Sequence, residues 1–169
     1  MANAFKSFGE QKRLSDLALT FAGSIGAIMN GVSRIFWPIY QDTTSFKHVY
    51  SRILLLQITV SSTLYFAASS EHLYIVWIAL SFFCLGGHFS VFPTACVTYF
   101  GLDKGPQVYA VLFTAIGSTS MIGFLIGKYL LDMIGYAFFF SLATAMSIIS
   151  LLILFCLFEE QRPQGTHEL

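Results

Sequence analysis

Five long apolar stretches occupy most of this 169-residue chain, and short polar connections separate them. The stretches are residues 17–40, 49–68, 73–100, 108–130 and 134–158. Each is as long as the about 20 residues that an α-helix needs to cross the hydrocarbon core of a bilayer. The sequence therefore predicts an all-α, polytopic membrane protein with five transmembrane helices, which form a single membrane domain over residues 1–169.

Composition excludes several other classes of protein. Hydrophobic residues make up 56% of the chain and charged residues 11%, whereas about 25% of the residues in a soluble domain are charged. Nine basic and nine acidic residues cancel, so no net charge favours a nucleic-acid partner. The predicted surroundings are the lipid bilayer. An odd number of crossings places the two chain ends on opposite sides of the membrane.

Patterns that are typical of enzymes are missing. No serine–histidine–acid arrangement is found. A phosphate-binding glycine loop is not found either, because most of the glycines lie inside the apolar stretches. Cys84, Cys96 and Cys156 also lie there, without metal-ligand or disulfide spacing, and we interpret them as small buried hydrophobic residues. The sequence predicts neither an enzyme nor a metal or cofactor site.

Two of the stretches carry small residues at a four-residue spacing, which places them on one face of a helix. The first row is Gly23, Ala27 and Gly31, and the second is Ala115, Thr119, Gly123 and Gly127. Small residues let helix backbones approach closely in lipid, where the hydrophobic effect does not bring helices together. Both rows are predicted to be helix-packing faces, and the sequence does not say what packs on them.

The third stretch contains Gly86, Gly87 and His88 near its middle and Pro93 shortly after them. A proline inside a helix removes one backbone hydrogen bond, so a kink is expected, and the two glycines loosen the backbone further. An ionisable residue at this depth suggests function, and His88 is the candidate for binding a substrate or a proton. The alternative is a neutral histidine hydrogen-bonded to the backbone of a neighbouring helix. Asn30 and Gln57 are interpreted as interhelical hydrogen-bond partners rather than ligands.

Several motifs follow one another along the chain: residues 23–26, 30–31 and 33–37 with Asp42 and Phe46-Lys47, then 86–94, then 117–127. They resemble motifs of the major facilitator superfamily of transporters, and in particular of its oxalate/formate antiporter-like, monocarboxylate-transporter-like branch. They are similar to the eighth helix and its following loop, the tenth helix and the eleventh helix. The resemblance implies that the chain corresponds to the C-terminal half of such a transporter without the first helix of that half.

In this family, the loop after the eighth helix helps to latch conformational states. The resemblance makes Arg34, Asp42 and Lys47 candidates for that conformational role. The chain departs from the family motif at two positions, since Pro38 replaces a glycine and Thr43 replaces a basic residue. The alternative for Arg34 and Asp42 is an interfacial charge pair at the end of a helix.

Two functions follow from the resemblance. The family implies transport of a small monocarboxylate or dicarboxylate, but its substrate site lies between two six-helix halves, and five helices supply less than one half. The sequence therefore favours a structural or accessory subunit of a larger complex, with other membrane subunits packed on the small-residue faces. A half-transporter for small carboxylates that works with another chain is the alternative. By analogy with recruited subunits of respiratory-type complexes, the predicted location is the mitochondrial inner membrane.

Overall fold

The computed structural model describes residues 5–129 and 131–159, and for residues 126–129, 132 and 133 it describes the backbone alone. Helices follow one another along the chain, and no strand occurs within these residues. The helices are α1 (Phe5–Gln11), α2 (Asp16–Thr43), α3 (Phe46–Ala67), α4 (Glu71–Tyr129) and α5 (Leu131–Cys156). The predicted all-α architecture is confirmed.

Helix α4 contains both the third and the fourth apolar stretch, divided at Gly101. This residue has φ 76° and ψ 173°, a conformation that is readily available only to glycine. The sequence predicts a turn over residues 101–106, and the chain does turn there, but helical structure resumes directly after Gly101. The turn is this short because Gly105 lets the two segments touch: a Cβ atom on Gly105 would lie 2.8 Å from the Cα of Val97. Helix α1 is not predicted by the sequence.

Serine residues cap the N-termini of α2 and α3. The Ser15 side chain accepts a hydrogen bond from the backbone N–H of Ala18 at 3.2 Å, and that of Ser45 accepts one from His48 at 3.3 Å. Each satisfies a backbone donor that has no partner inside the helix. The backbone N–H of Ser15 also donates to the Glu71 carboxylate at 2.8 Å, which joins the start of α2 to the start of α4.

Among the described residues, two stretches are long and apolar enough to cross a membrane, Glu71–Leu125 and Ile134–Cys156. The first contains 55 residues, which suffices for two crossings, one on each side of Gly101. Helices α2 and α3 have 28 and 22 residues but are less apolar, since they carry Asn30, Arg34 and Gln57. Polar residues in such helices usually face a bundle interior or a water-filled cavity.

The closest contact between long helices is that of α2 with the first part of α4. A Cβ atom on Gly86 would overlap the Ser33 side chain and lie 2.5 Å from the Asn30 carbonyl oxygen. A Cβ atom on Gly87 would lie 2.7 Å from Cδ1 of Trp37, whose indole N–H donates to the backbone of α4. The two glycines therefore serve the close approach of α2.

The structure shows a packing task for these glycines beside the one that the sequence suggests, and the kink at Gly86, Gly87 and Pro93 stays a prediction. The backbone dihedral angles of Gly86, Gly87 and Pro93 are helical, and the non-helical residue of α4 is Gly101. When no neighbouring helix is known, a glycine pair close to a proline suggests a loosened helix backbone. Here the pair lies against Ser33 and its neighbours on α2, so the missing side chains make room for another helix.

Most described positions of the two predicted small-residue rows are exposed. On α2, Gly23 is half-buried while Ala27 and Gly31 are exposed, and the neighbouring position Gly26 contacts α4 instead, with a Cβ atom 2.8 Å from Phe82. On α4, the row is exposed at all of its described positions: Ala115, Thr119 and Gly123. The surroundings of Gly127 lie outside the described part. The packing role of both rows stays a prediction.

Helix α1 closes one end of the bundle through Phe8, which is fully buried. The Phe8 ring centroid lies 4.9 Å from that of Phe140 and 5.0 Å from that of Tyr136, both on α5. The Tyr74 hydroxyl of α4 donates a hydrogen bond to the Phe5 carbonyl. The short first helix thus contacts elements from the far end of the sequence.

A candidate polar site in the helix bundle

A cavity of about 490 Å³ lies between α3, both parts of α4 and α5. Its volume falls within the about 300–1,000 Å³ of small-molecule sites. Polar side chains on its wall come from α3 and from both parts of α4, and they are Tyr50, Gln57, Ser81, His88, Thr119 and Ser120. The remaining wall is apolar, so the cavity combines a few polar groups with a hydrophobic lining, as ligand sites do.

A chain of hydrogen bonds runs from His88 across the cavity wall. His88 Nε2 lies 2.6 Å from Gln57 Oε1, an oxygen that accepts only, so Nε2 carries the proton. Gln57 Nε2 donates to Ser147 Oγ at 2.9 Å, and Ser147 Oγ donates to the Ala143 carbonyl at 2.9 Å. This series of hydrogen bonds joins α4, α3 and α5, and all of its donors point the same way along it. Nδ1 of a neutral His88 is left as a hydrogen-bond acceptor.

The predicted interhelical hydrogen bond of Gln57 is present. The alternative for His88 was a bond to the backbone of a neighbouring helix, and its partner is instead a side chain. Sequence reasoning treated His88 and Gln57 separately and did not single out Ser147. The sequence did contain a signal for the pair: the second and third apolar stretches are consecutive, and each carries a strongly polar residue near its middle, Gln57 and His88. The functional role of His88 stays a prediction.

Arg34 lies near the cavity without lining it. Its Nε donates to Asn30 Oδ1 at 3.2 Å, one turn earlier on α2. Its guanidinium carbon lies 5.6 Å from the ring centroid of Phe89, which lines the cavity. Asn30 is held in turn by a bond from its Nδ2 to the Phe82 carbonyl at 3.4 Å. Within the part of the chain that the structure describes, no carboxylate pairs with Arg34.

The three candidates from the loop motif do not come together. Asp42 is exposed near the end of α2, whereas Lys47 is directed to α5, where its ammonium donates to the Phe158 carbonyl at 2.9 Å and the Phe155 carbonyl at 3.4 Å. A cation at the C-terminal end of a helix satisfies unpaired carbonyl groups and complements the helix dipole. The proposed latch of Arg34, Asp42 and Lys47 stays a prediction.

Long apolar helices around a polar cavity define a polytopic helical membrane protein. The chain belongs to the Major Facilitator Superfamily, whose family model matches residues 1–168. This confirms the resemblance at the level of the superfamily. The oxalate/formate antiporter-like branch stays a prediction.

One relative carries a name that specifies a solute. The chain is similar to Apicoplast pyruvate carrier 1 of Toxoplasma gondii, with 30% identity over 129 residues. The match covers 74% of this chain and 21% of the relative. It therefore spans about a fifth of the length of that protein.

Proposed function

We propose that this chain forms part of a membrane carrier for small carboxylates. The observation that carries the proposal is the hydrogen-bonded pair of His88 and Gln57 on the wall of a cavity inside apolar helices. Polar residues at such depth are expensive, and they mark the pathways of substrates and ions. The similarity to a pyruvate carrier supports a carboxylate as the solute. Because the substrate site of this superfamily lies between two halves, the complete passage includes further helices.

Arg34 supplies the countercharge that a carboxylate needs in a medium of low dielectric constant. A guanidinium has five N–H donors in a planar fork, and the bond to Asn30 uses one of them. The fork can bind a carboxylate with two parallel hydrogen bonds. The Phe89 ring holds the guanidinium beside the cavity, so a carboxylate bound to Arg34 lies close to its wall.

His88 is proposed to take up a proton that accompanies the substrate. The bond to Gln57 fixes the tautomer, so the free acceptor of the neutral ring is Nδ1. Histidine is the side chain whose ordinary pKa lies nearest to neutral pH. Binding of a carboxylate close to the ring would favour its protonated form. The pair of Arg34 and His88 thereby couples an anion to a proton.

The test is uptake of labelled pyruvate into membrane vesicles that contain the protein in its native assembly. Arg34→Gln should lower uptake about 30-fold or more, because the substrate anion would lose its cationic partner. Arg34→Lys should restore part of the activity, since it keeps the charge but not the fork. The matched control is Arg52→Gln. It removes a cation of α3 that lies over the ring of Tyr40 on α2.

Uptake that is unchanged in Arg34→Gln, at an equal amount of inserted protein, would refute the assignment of the carboxylate site. A proton role for His88 is tested separately by His88→Gln, which keeps a hydrogen-bonding side chain but cannot be charged. We expect this variant to lose the dependence of uptake on a pH gradient. Gradient-dependent uptake at the unaltered level would refute the proton role.

A second candidate function is a structural subunit of a larger membrane complex, as the sequence favours. The observation in its support is the exposed row on α4, Ala115, Thr119 and Gly123, which has the composition of a helix-packing face. Co-purification with unrelated membrane subunits at fixed stoichiometry, without carboxylate uptake, would favour this role over transport. An organellar location, with the mitochondrial inner membrane as the predicted one, is part of this second proposal.

A further inference from the structure

Ser147 of α5 continues the series of hydrogen bonds that begins at His88, and it lies away from the wall of the polar cavity. Its side chain is 3% exposed and is not part of the lining. Its Oγ accepts a hydrogen bond from Gln57 Nε2 at 2.9 Å and donates one to the Ala143 carbonyl at 2.9 Å. A solute in the cavity does not touch Ser147, so any part that this residue plays in uptake is exerted through Gln57.

The hydroxyl of Ser147 decides which end of the Gln57 amide faces His88. Because its hydrogen is donated to the Ala143 carbonyl, its oxygen accepts, and the NH2 group of Gln57 turns to it. Gln57 Oε1 then faces the imidazole, 2.6 Å from His88 Nε2.

The reversed amide would give a network with fewer hydrogen bonds. It would present an N–H group to His88 Nε2, so the hydrogen of the neutral ring would move to Nδ1. The hydroxyl of Ser147 would have to donate to Gln57 Oε1, and its bond to the Ala143 carbonyl would be lost. The observed direction therefore has one hydrogen bond more than the reversed one.

We propose that Ser147 is a positioning residue for proton uptake, because it orients the Gln57 amide and so keeps the hydrogen of neutral His88 on Nε2. The inference rests on the proposed function and explains how its histidine is held ready. The incoming proton forms a bond to the lone pair of Nδ1, while the bond from Nε2–H to Gln57 stays in place. In the reversed network the free lone pair belongs to Nε2 and is occupied by an amide N–H, so the amide would have to turn before the ring could take up a proton.

Loss of the Ser147 hydroxyl is expected to leave the surrounding packing intact. The hydroxyls of Thr144 and Ser61 lie 2.8 Å apart and join α5 to α3 about one turn away. The Tyr50 ring packs against the imidazole of His88, with 5.6 Å between centroids and the ring planes at 78°. Ser147→Ala therefore removes the preference for one direction of the amide without separating the helices.

The test is the tautomer of His88, measured by nitrogen NMR of histidine-labelled protein in membranes that contain it in its native assembly. The chemical shift distinguishes the ring nitrogen that carries a hydrogen, and the signal that His88→Gln removes belongs to His88. At about pH 8, where an ordinary histidine is neutral, the unaltered protein should carry the hydrogen on Nε2. Ser147→Ala should raise the ratio of the Nδ1–H form to the Nε2–H form about threefold, the factor that one interhelical hydrogen bond of average strength contributes in a membrane.

Two variants serve as controls. Ser147→Thr keeps the hydroxyl and should keep the hydrogen on Nε2. Ser141→Ala makes the same change at an exposed serine of α5 that bonds to its own helix, and it should leave the tautomer of His88 unaltered. If Ser147→Ala does not insert, Ser147→Cys is the second variant, since a thiol is a weak donor and a weak acceptor.

A Ser147→Ala protein with an unchanged tautomer ratio would overturn the positioning role, and so would an unaltered protein with the hydrogen on Nδ1. Pyruvate uptake separates this inference from the proposed function. Ser147→Ala should lower the part of uptake that depends on a pH gradient about twofold, because a smaller fraction of the protein is in the competent form, and Ser147→Thr should restore it. A changed tautomer ratio without any effect on that uptake would overturn the proton role of His88 and leave the orienting effect of Ser147 standing.

Discussion

The glycines of the α2–α4 contact and the small-residue row of α4 make an instructive comparison. Gly86 and Gly87 lie against Ser33, Asn30 and Trp37 so closely that no side chain fits. In the second part of the same helix, a Cβ atom on Gly117 or Gly123 would meet nothing within 4 Å. Both regions have the small residues that permit helices to approach. Only the first has a neighbour within the described chain, so small residues indicate a capacity for packing and do not identify the partner.

The contact between α3 and α5 shows another way to join helices in lipid. Between α3 and α5, two side-chain hydrogen bonds join the helices: Gln57 Nε2 to Ser147 Oγ at 2.9 Å and Thr144 Oγ1 to Ser61 Oγ at 2.8 Å. Interhelical hydrogen bonds in membranes contribute modestly, about 0.6 kcal/mol on average. Close packing at Gly86 is therefore expected to matter more for stability than either polar contact.

The largest loss of folding stability is expected for Gly86→Leu. The new side chain would collide with the Ser33 side chain and with the backbone of Asn30, which cannot move aside as a flexible side chain can. Overpacking of this kind should destabilise the protein by about 4 kcal/mol or more, measured by unfolding in detergent. Gly123→Leu is the matched control on the same helix and should change stability by about 0.5 kcal/mol or less.

A large effect of Gly123→Leu in the native assembly but not in detergent would sharpen the comparison, because it would identify the row as a contact with another chain. Similar tolerance of leucine at Gly86 and at Gly123 would show that the α2–α4 contact is not tight.

The second largest loss of folding stability is expected for Trp37→Ala. Trp37 is 5% exposed, and its indole N–H donates to the Phe83 carbonyl at 3.3 Å. Loss of the ring should cost about 3 kcal/mol through the cavity that remains. Phe113→Ala, at a ring that is 49% exposed, should cost about 1 kcal/mol or less in the same detergent assay. Equal losses at the two sites would contradict the difference between the buried and the exposed region.

A smaller effect is expected from the polar contact of α3 with α5. A double-mutant cycle of Gln57→Leu and Ser147→Ala should give a coupling energy of about 0.6 kcal/mol, and about 1.7 kcal/mol at most. The same cycle with Thr59→Ala in place of Ser147→Ala provides the control, since Thr59 bonds to its own helix. A coupling energy near zero for Gln57 and Ser147 would show that this hydrogen bond does not hold the helices together.

The smallest effect has the opposite sign. Gly31 is exposed, and a Cβ atom there would meet nothing within 4 Å, so Gly31→Ala should stabilise α2 by about 0.5 kcal/mol through lower backbone entropy in the unfolded chain. Gly26→Ala, five residues earlier on the same helix, would press against Phe82 at 2.8 Å and should be destabilising. Destabilisation by Gly31→Ala in the purified chain would indicate that the exposed row has a partner that detergent does not remove.

The sequence predicts most of the fold because its strongest signals are local. Stretch length and turn residues place α2, α3 and α5, and glycine marks the break at Gly101, which has a positive φ. Helix α1 was missed since residues 1–13 look polar, and the burial of Phe8 depends on rings far away in the chain. The site was only half predicted for the same reason: His88 and Gln57 stand out separately, but their pairing depends on how α3 and α4 face each other.

The environment of Phe8 has a consequence for biogenesis. Its ring contacts Tyr136 and Phe140, which the ribosome adds more than a hundred residues later. Until those residues have entered the membrane, the first helix has no complete pocket, and Phe5 and Phe8 remain accessible to insertion factors and chaperones. Helix α1 is thus synthesised well before the rings of α5 that complete its pocket, so its protection from proteolysis reports that α5 has been assembled.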